Sequence, residues 1–179
     1  MNDDLSWIRL AILQYPNITD QIWEKLATDS SNDIQESLLT SMKTPKKFRD
    51  YVLQNASETL LCSVVPTIKI LSVMSYVADC GTIATKKSLL RNPSIPFATV
   101  EKLYEEGCFS KEVRQWKQNT IKTNSLSKEL LEKLAVDKDL FVRKTLARKI
   151  PLPDSVLFIL NQDTHPSIQK LLQKRKENI

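Results

Sequence analysis

At 179 residues and 20.5 kDa, with 41% apolar residues, the chain is long enough for one packed domain or a stack of small units. Only two glycines occur, Gly81 and Gly107, which weighs against sandwiches, barrels and phosphate-cradling loops, because these need glycine for turns and close backbone approach. The formal net charge of +5 is uneven: residues 1–81 hold 7 Lys+Arg against 10 Asp+Glu, leaving 19 basic and 11 acidic residues to 82–179, an asymmetry that hints at an anionic partner for the second half.

In chain order, short helical patterns alternate with breaks. Ile8 and Ile12 sit four apart, on one face of a helix, and Ile22, Trp23 and Leu26 follow after a break at Pro16-Asn17. Ile34 and Leu38 open the next pair, with Thr44-Pro45 leading into its second helix. Leu60 and Val64 open a third pair, which lacks the proline at Leu71. A fourth runs from Lys86 through Ile95-Pro96 to Val100 and Leu103. A fifth starts at Val113 and reaches Leu130, Leu131 and Leu134; a sixth has Val142 and Leu146, then Leu152-Pro153-Asp154 before Val156, Leu157 and Leu160. Ile168 and Leu172 begin a seventh. Proline and Ser/Thr at these breaks predict helix starts, and both glycines are placed to end helices.

The anchors Ile8, Ile34, Leu60, Thr85, Val113, Val142 and Ile168 are separated by 26, 26, 25, 28, 29 and 26 residues. Such a period is the signature of stacked two-helix repeats, none able to bury its apolar face alone. The segments 86–103 and 143–160 align without gaps, pairing Leu89 with Leu146, Arg91 with Arg148 and Pro96 with Pro153. Arg91-Asn92-Pro93 with Pro96, and Glu132-Lys133-Leu134-Ala135-Val136-Asp137 before Val142-Arg143, give a pattern that resembles the leucine-rich repeat variant family. That resemblance, which covers most of the chain, implies a fold similar to armadillo and HEAT solenoids. The expected fold is a single all-α domain over 1–179, a right-handed superhelical solenoid of six to seven two-helix repeats starting near residues 8, 34, 60, 85, 113, 142 and 168. It also implies a recognition role and no specific activity. The iron–sulfur segment of the family's founding member has no counterpart here, so no cofactor is carried over.

Catalytic motifs are not found. The single histidine, His165, lies in Asp163-Thr164-His165-Pro166, read as a solvated turn. Cys62, Cys80 and Cys108 form no C-x-x-C pair and read as buried free thiols of a reducing compartment. No metal site or small-molecule substrate is expected. The opening MNDDLSWIRL does not read as a signal peptide, and no apolar run reaches the roughly 18 residues of a membrane span, so a cytoplasmic location is expected.

Recognition residues follow from the register. One position after the anchors stand Arg9, Gln35, Leu61, Lys86, Arg114, Arg143 and Gln169. Stacking lines up Lys86, Arg114 and Arg143, with Lys87 and Lys144 adjacent and Lys117, Arg148 and Lys149 flanking; Lys170, Lys174, Arg175 and Lys176 extend the set. Two readings stand: a ridge tracking phosphates, or a ladder pairing with Asp29, Asp137 and Asp163 between repeats. The fifth repeat replaces Asn-Pro with polar residues and runs longer between Arg114 and Ser127. There Trp116 reads either as a binding hot spot or as core filling; Trp7 and Trp23 read as core. The functional expectation is a non-enzymatic scaffold for a protein partner, with a nucleic-acid-binding solenoid using residues 86–176 as the alternative.

Overall fold

The computed structural model describes residues 5–107, 109–122 and 126–177. Asp3, Asp4, Cys108, Thr123 and Asn124, and the side chain of Lys176, lie outside the described residues. The described chain is all-helical and falls into two compact bodies, Met1–Gly107 and Cys108–Ile179.

The first body holds α1 (Ser6–Ile12), α2 (Asp20–Ala27), α3 (Asn32–Thr40), α4 (Lys46–Asn55), α5 (Glu58–Val64), α6 (Leu71–Cys80), α7 (Ile83–Leu89) and α8 (Phe97–Glu105). The second holds α9 (Ser110–Lys122), α10 (Lys128–Ala135), α11 (Leu140–Ala147), α12 (Asp154–Asn161) and α13 (Pro166–Glu177). In the first body α1, α3, α5 and α7 pack successively on one another, as do α2, α4, α6 and α8. The second body repeats the arrangement, α9 on α11 on α13 and α10 on α12. Helices this short are marginal alone, so their stability comes from packing an apolar face. The anchors show where that face is: Ile34, Leu60, Thr85, Val113, Val142 and Ile168 are all buried.

Helix starts follow the expected residue types. Ser57, Thr82 and Ser127 accept hydrogen bonds from Leu60, Thr85 and Leu130 N–H, three residues on, the N-cap geometry that satisfies orphan donors. Pro45, Pro96 and Pro153 stand at the N-cap itself with extended ψ, one residue earlier than a first-turn proline; Pro166 is the first residue of α13. Gly107 follows α8 with φ +75° and donates to Tyr104 O at 3.0 Å, the left-handed stop that glycine adopts most easily.

Three expectations change. Trp7 is 67% exposed and the anchor Ile8 is also exposed; among the described residues α3 is the same-layer helix packed on α1, and it leaves these side chains open. Cys80 is exposed and Cys62 half-buried, so neither is a core thiol. The polar stretch of the fifth repeat continues as helix: without a proline to break it, α9 runs unbroken for 13 residues.

Successive helices of one layer are joined by side chains as well as by packing. Asn92, seven residues past its anchor, is buried and donates Nδ2 to Val65 O and Ile68 O, both at 2.7 Å. At the same position, Lys149 Nζ donates to Ile121 O and Arg175 donates to Lys149 O, both at 2.8 Å. Replacing Asn92 by Ala removes the donor shared by two buried carbonyls, a loss of about 2–3 kcal/mol. Urea unfolding is expected to show that loss as a lower midpoint at unchanged slope; a change below about 0.5 kcal/mol would mean that water or backbone replaces the bond.

Candidate interaction surface

The acidic turns between repeats set the surroundings of the predicted recognition residues. In each of three turns an aspartate five residues before the anchor accepts the N–H two residues on: Asp29 from Ser31 (2.9 Å), Asp137 from Asp139 and Asp163 from His165 (both 2.8 Å). These are Asx turns, which aspartate favours because its short carboxylate reaches its own backbone. The second carboxylate oxygen takes a cation from the preceding same-layer helix. Arg9 Nε lies 2.7 Å from Asp29 Oδ2, Arg143 Nε 2.7 Å from Asp163 Oδ2, and Lys117 Nζ 2.6 Å from Asp137 Oδ2.

The side chain one position after the anchor then closes the turn from the other side. Gln35 donates to Asp29 O at 2.9 Å, Arg143 to Asp137 O at 2.7 Å and Gln169 to Asp163 O at 2.6 Å. Glutamine and arginine alternate there because both reach that carbonyl; arginine reaches the next aspartate as well. His165 is half-buried rather than a solvated turn residue: it precedes α13, and its Nδ1 accepts Ser167 N–H at 3.2 Å.

The predicted recognition residues therefore separate. Lys86 pairs with Glu106 at 2.8 Å, Arg114 with Asp139 and Arg143 with Asp163, so these cations are engaged with carboxylates of their own body. Trp116 and Lys117 are buried, Lys117 only 2% exposed. With α9 continuing through the place of the expected break, both side chains turn inward. Lys87 and Lys144 are half-buried and Arg148 is exposed. Phe141, outside the set that the repeat register marks, is 53% exposed at the start of α11. The Arg114 guanidinium carbon lies 4.9 Å from its ring centroid and Lys144 Nζ 5.9 Å, within cation–π range. An aromatic directly before a buried anchor is the signal that marks it. No metal-binding cluster and no helix long and apolar enough to cross a membrane occur among the described residues.

Against family models, curated proteins and solved structures, the chain finds no match.

Two predictions follow from the turns. Lys117→Met leaves a buried carboxylate without its cation, and a loss of about 3–5 kcal/mol is expected. Adding Asp137→Asn keeps an acceptor for Asp139 N–H, so the double variant should recover much of that loss in urea unfolding; a double variant as unstable as the sum of the singles would refute a coupled pair. For Asp163, burial raises the pKa, but hydrogen bonds from Arg143 and His165 N–H outweigh it and the net shift is downward. A depressed folded pKa means that the turn's contribution is complete above the ordinary aspartate value of about 3.9 and fades as pH drops below it. Arg143→Gln retains a donor for Asp137 O while removing Asp163's cation. Between about pH 5 and about pH 3 this variant should lose less stability than the native chain; an equal loss would detach Asp163 from acid sensitivity.

Proposed function

We propose that this chain is an α-solenoid of the leucine-rich repeat variant kind, a right-handed superhelix of six to seven two-helix repeats. It acts as a non-enzymatic cytoplasmic scaffold that binds a protein partner. The observation that supports this reading most is the use of the in-register cations. Arg9, Lys86, Arg114 and Arg143, and the flanking Lys117, are each paired with a carboxylate within their own body. A phosphate-tracking ridge draws its affinity from cations that release counterions on binding, and cations already neutralised in the fold contribute little of that. Meanwhile Val136, Phe141, Ile150 and Phe158 of the second body are exposed, and aromatic and aliphatic side chains of this kind anchor protein interfaces.

The test is capture with the full chain as bait, followed by reconstitution from purified components across a salt series. The expected result is a protein partner that binds the purified chain directly, with affinity falling less than about tenfold between 50 and 200 mM salt. If the chain instead retains only nucleic acid, with the loss of about a thousandfold or more that phosphate binding shows over that range, the reading is wrong.

A further inference from the structure

In the second body α11 lies between α9 and α13. The anchors Val142 and Ile168 are both fully buried, so α11 and α13 turn matching positions outward. Two residues past each anchor stand Lys144 and Lys170, and six past Val142 stands Arg148. Lys170 and Arg148 are exposed and Lys144 is half-buried. Four residues of helix rise separate positions two and six by about 6 Å, and packed helices lie about 8–10 Å apart. By helix register these three positions form one small grid across α11 and α13, with Arg148 and Lys170 exposed.

These cations differ from the paired ones in the turns. Lys144, Arg148 and Lys170 form no ion pair with a carboxylate among the described residues. The nearby acids are committed elsewhere: Asp137 to Lys117, Asp139 to Arg114 and Asp163 to Arg143. By sequence the second body has 15 Lys+Arg against 8 Asp+Glu, so the excess positive charge has no internal sink. Beside the grid is Phe141, half of whose surface is open to solvent. Its ring already carries Arg114 and Lys144 in cation–π contact, which leaves it poorly placed as a platform for stacking a base. At 53% exposure it still offers apolar area to a side chain.

We propose that the α11–α13 face of the second body docks an acidic segment of a partner protein, with carboxylates on Lys144, Arg148 and Lys170 and an apolar side chain against Phe141. The charge is complementary, and carboxylates one helical turn apart match the spacing of Lys144 and Arg148. This inference rests on the protein-recognition reading above and names the chemistry of the partner.

A random peptide library panned on the full chain, in parallel with Lys144→Glu/Arg148→Glu/Lys170→Glu, tests it. Arg148 and Lys170 are exposed and Lys144 is half-buried, and an unchanged circular dichroism spectrum and urea midpoint would establish that the variant is folded. Peptides rich in Asp and Glu with interspersed Leu or Phe are expected on the native chain. Their affinity, read by fluorescence anisotropy, should drop at least about tenfold in the triple variant and also in Phe141→Ala. Selected peptides without acidic bias, or acidic ones that bind both chains equally, would overturn the docking site while leaving protein recognition in place elsewhere on the molecule. An oligothymidylate strand that binds more tightly than any selected peptide and is lost in the triple variant would assign the face to phosphates and overturn both readings.

Discussion

An aspartate side chain has two oxygens, and the turns at Asp29, Asp137 and Asp163 use both. One oxygen fixes the turn's own backbone, and the other receives a cation from the preceding same-layer helix. The carbonyl of the same residue then takes a donor from the helix after it. Three chain segments meet at one residue, so the turn cannot shift without disturbing both neighbouring helices. Charge-assisted bonds of this kind are stronger than neutral ones, and here they act on segments that have little helical stability of their own. At these three places they fix how the flanking helices turn, which burial alone does not set; α3 on α5 and α5 on α7 pack without such an aspartate.

The same economy explains which residues recur along the chain and which vary. Any side chain that reaches the carbonyl serves one position past the anchor, hence Gln35, Arg143 and Gln169. Seven past the anchor, Asn92, Lys149 and Arg175 differ in length and charge, yet each donates to a carbonyl within or just after the preceding same-layer helix. At these three sites what persists is a donor at a fixed place, and the residue type differs. Once that demand is met, cations at neighbouring positions are released for the surface, as at Lys144, Arg148 and Lys170.

Much of the all-helical architecture was legible in the spacing of the anchors, because a helix must bury one face and that face leaves a period. Burial of Ile34, Leu60, Val113, Val142 and Ile168 follows that period directly. Trp7 did not follow it, since periodicity marks a face without saying whether a neighbour covers it. The roles of the cations were less legible. Lys117 and Arg148 look alike in sequence, but one meets Asp137 across 20 residues and the other meets solvent. Trp116 and Lys117 turned inward because α9 continued where a break was expected, a decision made by the lack of a proline and by packing on α11. Phe141 escaped notice because an apolar residue beside an anchor reads as more core.

The side-chain bonds that tie successive same-layer helices together also bear on how the chain reaches this state. The partners in these links, from Arg9–Asp29 to Lys149–Ile121, stand 20 to 28 residues apart in sequence. No distant pairing has to be found before the first stabilising contact forms. Loop-closure entropy grows only slowly over such lengths, and contact order of this kind is associated with rapid folding. A nascent chain could therefore acquire order as each pair of helices is completed, with every new segment closing onto one already in place. Damage would propagate in the same short steps, so that fraying at one turn need not reach the next.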